Sequence, residues 1–309
     1  YKILKEYNHM IHEKITIEKS MKVVMDCGNA AGAINAPDAF NSLGVDLKEL
    51  FCEPDGTFPN HHPDPTVEDN LNDLIAELRT GQYDVGIAFD GDADRVGIVD
   101  ETGDIIWADQ LMALFLPEII DKGEDILFDV KCSQALEDMI NRYGGNPIMW
   151  KTGHSLIKQK MSELGCKLGG EMSGHIFFAD DYYGYDDALY VAARLVQLLS
   201  RTDSSLSQLK SQIPVYFSTP EMRLEAENDQ VKFHITERAV EYFTEHYDCI
   251  TVAGVRITFG AGWGLVRSSN TQPVIVRRFE ANSPERREEI MDLVLGKLSE
   301  FGKLKIGSH

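Results

Sequence analysis

Residues Gly86 to Val99, with the sequence GIAFDGDADRVGIV, constrain this chain more than any other stretch. An apolar run closes at Phe89, carboxylates follow at Asp90, Asp92 and Asp94, and a second apolar run opens at Val96. Val, Ile and Phe on both sides favour strands, so the carboxylates are expected in the turn between two of them. Three carboxylates this close repel one another. A fold tolerates them on an open solvated loop, or where a hard cation takes all three through oxygen. Gly91 and Ala93 keep the intervening positions small, and Arg95 suits an anion such as phosphate beside the metal. An acidic hairpin turn with no ligand is the plain alternative. A calcium loop of the helix–loop–helix type is another, with Glu101 at its twelfth position. However, Arg95 occupies the sixth, where that loop takes Gly, and strands rather than helices flank it.

A length of 309 residues suits two or three domains, and 43% hydrophobic with 26% charged residues suits a soluble globular protein. No apolar run has the length of a membrane span and no signal-peptide pattern opens the chain, so the expected location is the cytoplasm. The first residue is Tyr1 rather than Met, and the chain is expected to be a piece of a longer one. Cys27, Cys52, Cys132, Cys166 and Cys249 are odd in number and show no Cys-x-x-Cys spacing, which reads as reduced thiols without a disulfide framework or a zinc site. A formal net charge of -20 argues against nucleic acid and anionic membranes as partners. Any phosphate site must then be a local island of Arg, Lys and His.

The strand pattern Lys22–Asp26, a Gly-rich turn over Cys27–Gly32 and a helix reaching Leu43 make an α/β unit. Ile126–Asp129, the turn Lys131-Cys132-Ser133 and a helix from Gln134 to Tyr143 echo it, so two related α/β domains are expected to meet near residue 105. Between them, His61 and His62 lie in a proline-rich loop. Neighbours in sequence point apart, so these two are assigned to loop packing. Beyond Pro214 the character changes: strands at Tyr216–Leu224 and Ile250–Phe259 flank a helix over Asp229–His246, and a glycine-rich turn at Gly260–Gly264 precedes the strand Val274–Phe279. The expected fold is therefore α/β, with two related three-layer α/β domains (residues 1–104 and 105–216) followed by a smaller α+β C-terminal domain (residues 217–309).

Arg267-Ser-Ser-Asn-Thr271 gathers a guanidinium, three hydroxyls and an amide, an anion cradle suited to a phosphate monoester. An ordinary polar loop is its alternative. Glu171, Ser173 and His175 offer a carboxylate to accept from sugar hydroxyls and an imidazole to donate. Lys131 and Gly153-His154 add donors at turns after strands, where α/β sites gather.

In this order, Asp90-Gly-Asp-Ala-Asp-Arg95, Lys151-Thr-Gly-His-Ser155, Glu171-Met-Ser-Gly-His175 and Arg267-Ser-Ser-Asn-Thr271 resemble the α-D-phosphohexomutase family, and its bacterial phosphomannomutase/phosphoglucomutase branch in particular. The resemblance covers essentially the whole chain and is to the second, third and fourth of the family's four domains. It implies Mg²⁺ on Asp90, Asp92 and Asp94, with Arg95 on the phosphate carried by the enzyme. It implies Glu171, Ser173 and His175 on the sugar hydroxyls. Arg267, Ser269, Asn270 and Thr271 would clamp the phosphate that is not reacting, with Lys131, Gly153 and His154 assisting. Met172 is similar to the glucose/mannose type, where glucosamine mutases usually carry Gln.

The implied reaction interconverts hexose 1-phosphate and hexose 6-phosphate of mannose and/or glucose. It runs through an enzyme phosphoserine and a 1,6-bisphosphate, on a protein expected to be monomeric. The family's phosphoserine lies in a Ser-His-Asn-Pro type loop of the first domain. No such loop occurs in this sequence, so the chain alone is expected to bind sugar phosphate weakly without turning it over. Two other functions stay open at this point: a non-catalytic sugar-phosphate-binding module, and a calcium-stabilised structural domain.

Overall fold

The computed structural model of the chain describes residues 2–269, 272–302 and 305–306. After helix α1 (Lys2–Lys14) comes β1 (Lys22–Asp26), whose Val-Val-Met-Asp portion is buried. Helix α2 (Ala36–Ser42) returns the chain to β2 (Asp46–Leu50), parallel to β1. Helix α3 (Asn72–Leu78) leads to β3 (Val85–Phe89), which pairs parallel to the other side of β1. The chain then reverses into β4 (Val96–Asp100), antiparallel to β3 with Phe89 opposite Val96, and β5 (Ile105–Ile106) closes the edge, giving the order β2-β1-β3-β4-β5. Every residue of β3 and β4 is buried, as expected of apolar runs covered on both faces. Leu71, Leu74 and Leu78 pack against Val24, Ala88 and Val99. The edge strand β2, Asp-Leu-Lys-Glu-Leu, has three exposed and two part-buried residues and so carries no apolar run in its sequence.

Helix α4 (Ala108–Ile119) is buried over most of its length and precedes β6 (Asp125–Asp129), α5 (Gln134–Arg142), β7 (Asn146–Trp150) and α6 (His154–Leu164). Strand β8 (Leu168–Gly170) runs parallel to β6, and β9 (Ile176–Phe178) folds back on β8 as a hairpin. Their sheet has the order β7-β6-β8-β9, and α7 (Ala188–Ser200) and α8 (Leu206–Lys210) follow.

The last segment is antiparallel. It comprises β10 (Phe217–Ser218), β11 (Met222–Glu225), α9 (Asp229–His246), β12 (Cys249–Ile250), β13 (Val255–Thr258), β14 (Gly262–Ser268), β15 (Val274–Ala281), α10 (Pro284–Phe301) and β16 (Lys305–Ile306). The strand order is β12-β13-β14-β15-β11-β16, with β10 also on β15, and Ile235, Phe243, Phe279 and Val294 share the core beneath α9 and α10. Two expectations change here. The strands read over Tyr216–Leu224 and Ile250–Phe259 are each broken in two. Pro220, which has no N–H for the ladder, lies in the first gap and Gly254, at φ +72°, in the second. The glycine-rich turn is mostly strand β14. Gly262 and Gly264 are there because a Cβ would meet Glu280 O at 2.4 Å and the Phe279 ring at 3.1 Å.

The chain packs as two compact units. The first holds Tyr1–Phe128, Asp138–Ile148 and Gly153–Ile213; the second holds Asp129–Glu137, Met149–Thr152 and Pro214–His309. Within the first, α1 and the segment after it are tied to the surroundings of α7. Tyr7 Oη donates to Asp187 at 2.8 and 2.9 Å, and Thr16 N donates to Gln197 Oε1 at 2.7 Å.

The two loop histidines do point apart. His62 meets the Phe58 ring edge-on, whereas His61 Nε2 lies 3.0 Å from the buried Asp26 carboxylate and its Nδ1 lies 3.0 Å from His62 O. Both partners of His61 only accept, so both bonds form only when both ring nitrogens carry protons. The Asp26 bond accordingly raises the His61 pKa above its ordinary value, against the lowering effect of burial. A proton held more tightly in the folded chain stabilises it fully below the unfolded pKa of about 6.5, and that contribution is lost as pH rises through the raised folded value. In urea unfolding, His61→Asn is therefore expected to lose more stability against the parent at pH 5.5 than at pH 8.5. A gap that widened with rising pH would contradict this assignment.

Candidate functional site

The three carboxylates sit in the turn between β3 and β4, and one oxygen from each lies within 4.8 Å of the others. Asp90 is buried, at 2% exposure, and its orientation is fixed. Its Oδ1 accepts from the N–H groups of Asp94 and Arg95, both at 3.0 Å, and its Oδ2 accepts from Arg95 Nε at 2.7 Å. Arg95 Nη1 donates to Asp64 Oδ1 at 3.2 Å. Ala93 adopts φ +62°, a left-handed conformation uncommon outside glycine, and its carbonyl accepts from Ala188 N at the start of α7. Burial pushes the Asp94 carboxyl up to about 6; Asp90, Asp92 and Asp186 add to the rise and His175 opposes it. These carboxylates are thus held together at an electrostatic cost that a divalent cation would relieve.

The polar turn Glu171–His175 is the tip of the β8–β9 hairpin, and it lies directly on the Asp loop. Val96 N, the first donor of β4, bonds to Gly174 O at 3.2 Å. Gly174 has φ +103°, and a Cβ there would come within 2.9 Å of Val96 O and 3.3 Å of Arg95 Cβ. Only glycine allows this approach. Glu171 is buried at 2% exposure and accepts from Gly153 N, which opens α6. His154, the first residue of α6, stacks on His175 with centroids 5.4 Å apart and planes 19° from parallel.

Both histidines meet Asp186, His154 Nδ1 at 3.0 Å and His175 Nδ1 at 3.2 Å, and Lys158 Nζ donates to the same carboxylate at 2.7 Å. Asp186 is placed by a backbone bridge to Phe177. Burial opposes its charge, yet His175 and Lys158 hold its pKa well below the usual carboxylate range. Conversely, burial works to lower the His175 pKa, but Asp186, Asp94 and Glu171 raise it above the ordinary value. Asp94, His175 and Asp186 form a second group with metal-ligand spacing. Its imidazole suits a softer cation, whereas the all-oxygen set of Asp90, Asp92 and Asp94 suits a hard one.

The second unit holds Lys131, Arg267 and Ser269. Lys131 Nζ lies 3.3 Å from Glu221 Oε2, and Arg223 Nη2 lies 3.3 Å from Glu221 Oε1. Burial opposes the charge of Glu221, but Lys131, Arg267 and Arg223 lower its pKa all the same. Lys131 is fixed by its backbone. Arg256 Nη1 donates to the carbonyls of Val130 and Cys132, both at 2.7 Å, and Arg278 Nη1 donates to that of Lys131 at 2.6 Å. The buried Lys232 donates to Ser269 O at 2.9 Å and Gln272 O at 3.0 Å. Asn270 and Thr271 lie outside the described residues.

Phosphoglucomutase/phosphomannomutase family models match the chain in order: alpha/beta/alpha domain II over residues 5–103, alpha/beta/alpha domain III over 107–216 and the C-terminal domain over 221–297. A crystal structure of a phosphoglucomutase/phosphomannomutase family protein from Burkholderia thailandensis matches with a TM-score of 0.92 at 40% identity, over 99% of this chain and 67% of that one. The chain belongs to the phosphoglucomutase/phosphomannomutase family. Among curated members, the phosphomannomutase/phosphoglucomutase of Pseudomonas aeruginosa PAO1 is 47% identical over 300 residues, which is 96% of this chain and 64% of that protein. The phosphoglucomutase of Neisseria meningitidis serogroup A is 42% identical over 291 residues, 93% of this chain and 63% of that protein. This chain thus spans a little under two thirds of the length of these relatives.

In this member of the family, the sequence reading passed over Asp186, Lys158, Asp64 and Glu221. The first lies in the Tyr- and Asp-rich stretch Asp180–Asp187, where a carboxylate next to aromatics ahead of a helix was the available signal. The hairpin contact gives a direct test. Gly174→Ala places a methyl group against the Val96 carbonyl in a left-handed conformation, and we expect it to cost about 1–3 kcal/mol in urea unfolding. A loss below about 0.5 kcal/mol would mean that the hairpin tip moves off the Asp loop freely.

Proposed function

We propose that this chain carries the metal-, sugar- and phosphate-binding loops of a phosphohexomutase. The reaction interconverts the 1- and 6-phosphates of glucose, mannose or both through an enzyme phosphoserine and a hexose 1,6-bisphosphate, and we assign no residue of this chain the phosphoserine role. One observation carries the reading: the bond from Val96 N to Gly174 O sets the Glu171–His175 turn against the Asp90–Asp94 loop. Groups suited to hydroxyls thereby stand beside groups suited to a cation. The names of the Pseudomonas and Neisseria relatives support both hexoses.

Mg²⁺ fits the first of these groups, since three carboxylate oxygens within 4.8 Å of one another are a hard, all-oxygen donor set. Bound there, it would neutralise charge spreading over a transferring phosphoryl group. Asp90 is held rigid by Arg95 and by backbone donors, so the loop keeps its shape while charge passes over it. Arg95, already paired to Asp90 and Asp64, is read as the guanidinium facing the phosphate on the enzyme. Glu171 accepts from a sugar hydroxyl, His175 and Ser173 donate, and His154 and Gly153 support them. The Asp186 carboxylate keeps the His175 imidazole protonated, and hence a donor, to higher pH than usual. Lys131, Arg267, Ser269, Asn270 and Thr271 take a phosphate group, for which Glu221 is the competing anion.

In this reading residues 1–104 supply the metal loop, 105–216 the sugar loop and 217–309 the phosphate loop of a monomeric cytoplasmic protein. No helix among the described residues is long and apolar enough to cross a membrane. Calorimetric titration of the chain tests the assignment. Asp92→Asn and Asp94→Asn are each expected to weaken Mg²⁺ binding at least about tenfold, or about 1.4 kcal/mol. Glu171→Gln should weaken glucose 1,6-bisphosphate binding in saturating Mg²⁺ by a similar factor and leave Mg²⁺ affinity unchanged. The reading fails if the parent chain takes up no hexose bisphosphate, or if both the Asp92→Asn and the Asp94→Asn chains bind Mg²⁺ as the parent does.

A further inference from the structure

The sequence places Cys27 and Cys52 25 positions apart, and the fold brings their sulfurs to 3.2 Å. That is inside van der Waals contact, and no residue of the site described above uses either thiol. The two follow the ends of β1 and β2, whose register pairs Asp26 with Leu50. The parallel ladder continues past those ends: Cys27 N donates to Leu50 O at 3.1 Å and Asn29 N donates to Phe51 O at 2.8 Å. Adjacent strands lie about 4.8 Å apart, within the about 4.4–6.8 Å that separates the Cα atoms of a disulfide. The register sets Cys27 beside Phe51, one position from Cys52, and with the sulfurs at 3.2 Å a bond needs a further approach of only about 1.2 Å.

We propose that Cys27 and Cys52 are a dithiol oxidation site that takes hydrogen peroxide and closes to a disulfide. The two cysteines have different surroundings. Cys27 is fully buried, while Cys52 is partly exposed at the start of the Glu53–Pro65 loop. Contact with Cys52 and burial both raise the Cys27 pKa, and Asp26 and Glu49 add to the rise, so Cys27 is not the thiol that meets the oxidant. Cys52 is. Its sulfur takes one oxygen from the peroxide as the O–O bond breaks, giving a sulfenic acid and water. Cys27 sulfur then attacks Cys52 sulfur, the S–O bond breaks, and the Cys27 proton leaves with the hydroxyl as a second water. Two thiols are oxidised and one peroxide is reduced to two waters. The same turn continues to Ala31, whose N–H donates to Gly91 O at 3.2 Å, so the pair is separate from the Asp loop but joined to it through the backbone.

Thiol counting on the whole chain tests this. The reduced chain, unfolded and alkylated, should show all five cysteines free. After hydrogen peroxide treatment of the folded chain, three should remain free, and a tryptic digest should contain Val23–Lys48 joined to Glu49–Arg79. Dithiothreitol should restore all five. Cys52→Ser, a near-isosteric change at a half-exposed position, should keep every one of its remaining thiols free under the same treatment. The proposal is overturned by five free thiols after peroxide, by a bridge between any other pair, or by a Cys52 sulfinic acid with Cys27 still free.

Discussion

One backbone hydrogen bond, from Val96 N to Gly174 O, brings together two loops almost eighty residues apart in sequence. Its energy is ordinary, about 0.5–1.5 kcal/mol. Its importance is geometric, because it can form only where residue 174 has no side chain and tolerates φ +103°. Once it forms, the Asp loop has the hairpin tip on one side and the first turn of α7 on the other, the latter through Ala188 N and Ala93 O. These two elements fix the turn that keeps like charges close together. That rigidity is what allows an arrangement which repels itself in the absence of a cation.

The second unit solves a related problem with arginines. Arg256 is buried against the Trp263 ring, 3.8 Å from its centroid, and still directs its guanidinium to the carbonyls on either side of Lys131. Burial lowers its pKa to about 10, far enough above neutrality that it stays charged. Trp263 Nε1 and Gln134 N both donate to the buried Glu280, which also lessens the cost of burying Arg256. Buried charges of this kind are costly unless they are paired and hydrogen-bonded. Here they hold the backbone of the 130–132 turn in place, so the Lys131 side chain starts from a fixed point. Lys232 does the same for Ser269 and Gln272 by donating to both carbonyls.

Much of this was legible in the sequence, but unevenly. Apolar runs such as Val85–Phe89 and Val96–Asp100 read directly as strands because both faces are buried. The long helix Asp229–His246 follows the expected bounds, and Asn228 caps its N-terminus by accepting from Val231 N. β14 was missed because its glycines look like a turn until the positions of Phe279 and the Glu280 carbonyl are known. The motif loops could be named from their residue types, since a carboxylate triad or an arginine among hydroxyls is chemically distinctive. Their partners could not. Asp186 and Glu221 belong to no motif; they matter only because the fold puts them within 3.3 Å of a lysine or histidine already singled out.

These two carboxylates also bear on how a chain of net charge -20 would hold the phosphate proposed for it. Long-range attraction is unfavourable, so the local field must be steep and the cations must be in place beforehand. Lysine and histidine side chains left alone in solvent would sample many rotamers, and a ligand would have to order them on arrival. Asp186 orders His154, Lys158 and His175 in advance, and Glu221 does so for Lys131 and Arg223. Each carboxylate lowers the net positive charge of its cluster, which weakens the pull on an anion. The same carboxylates keep the donors converged, which lowers the entropy a ligand must give up. For the anionic ligand proposed for this acidic chain, positional order is the more useful of the two, because the far field is already set against binding and only close-range hydrogen bonds can reverse it.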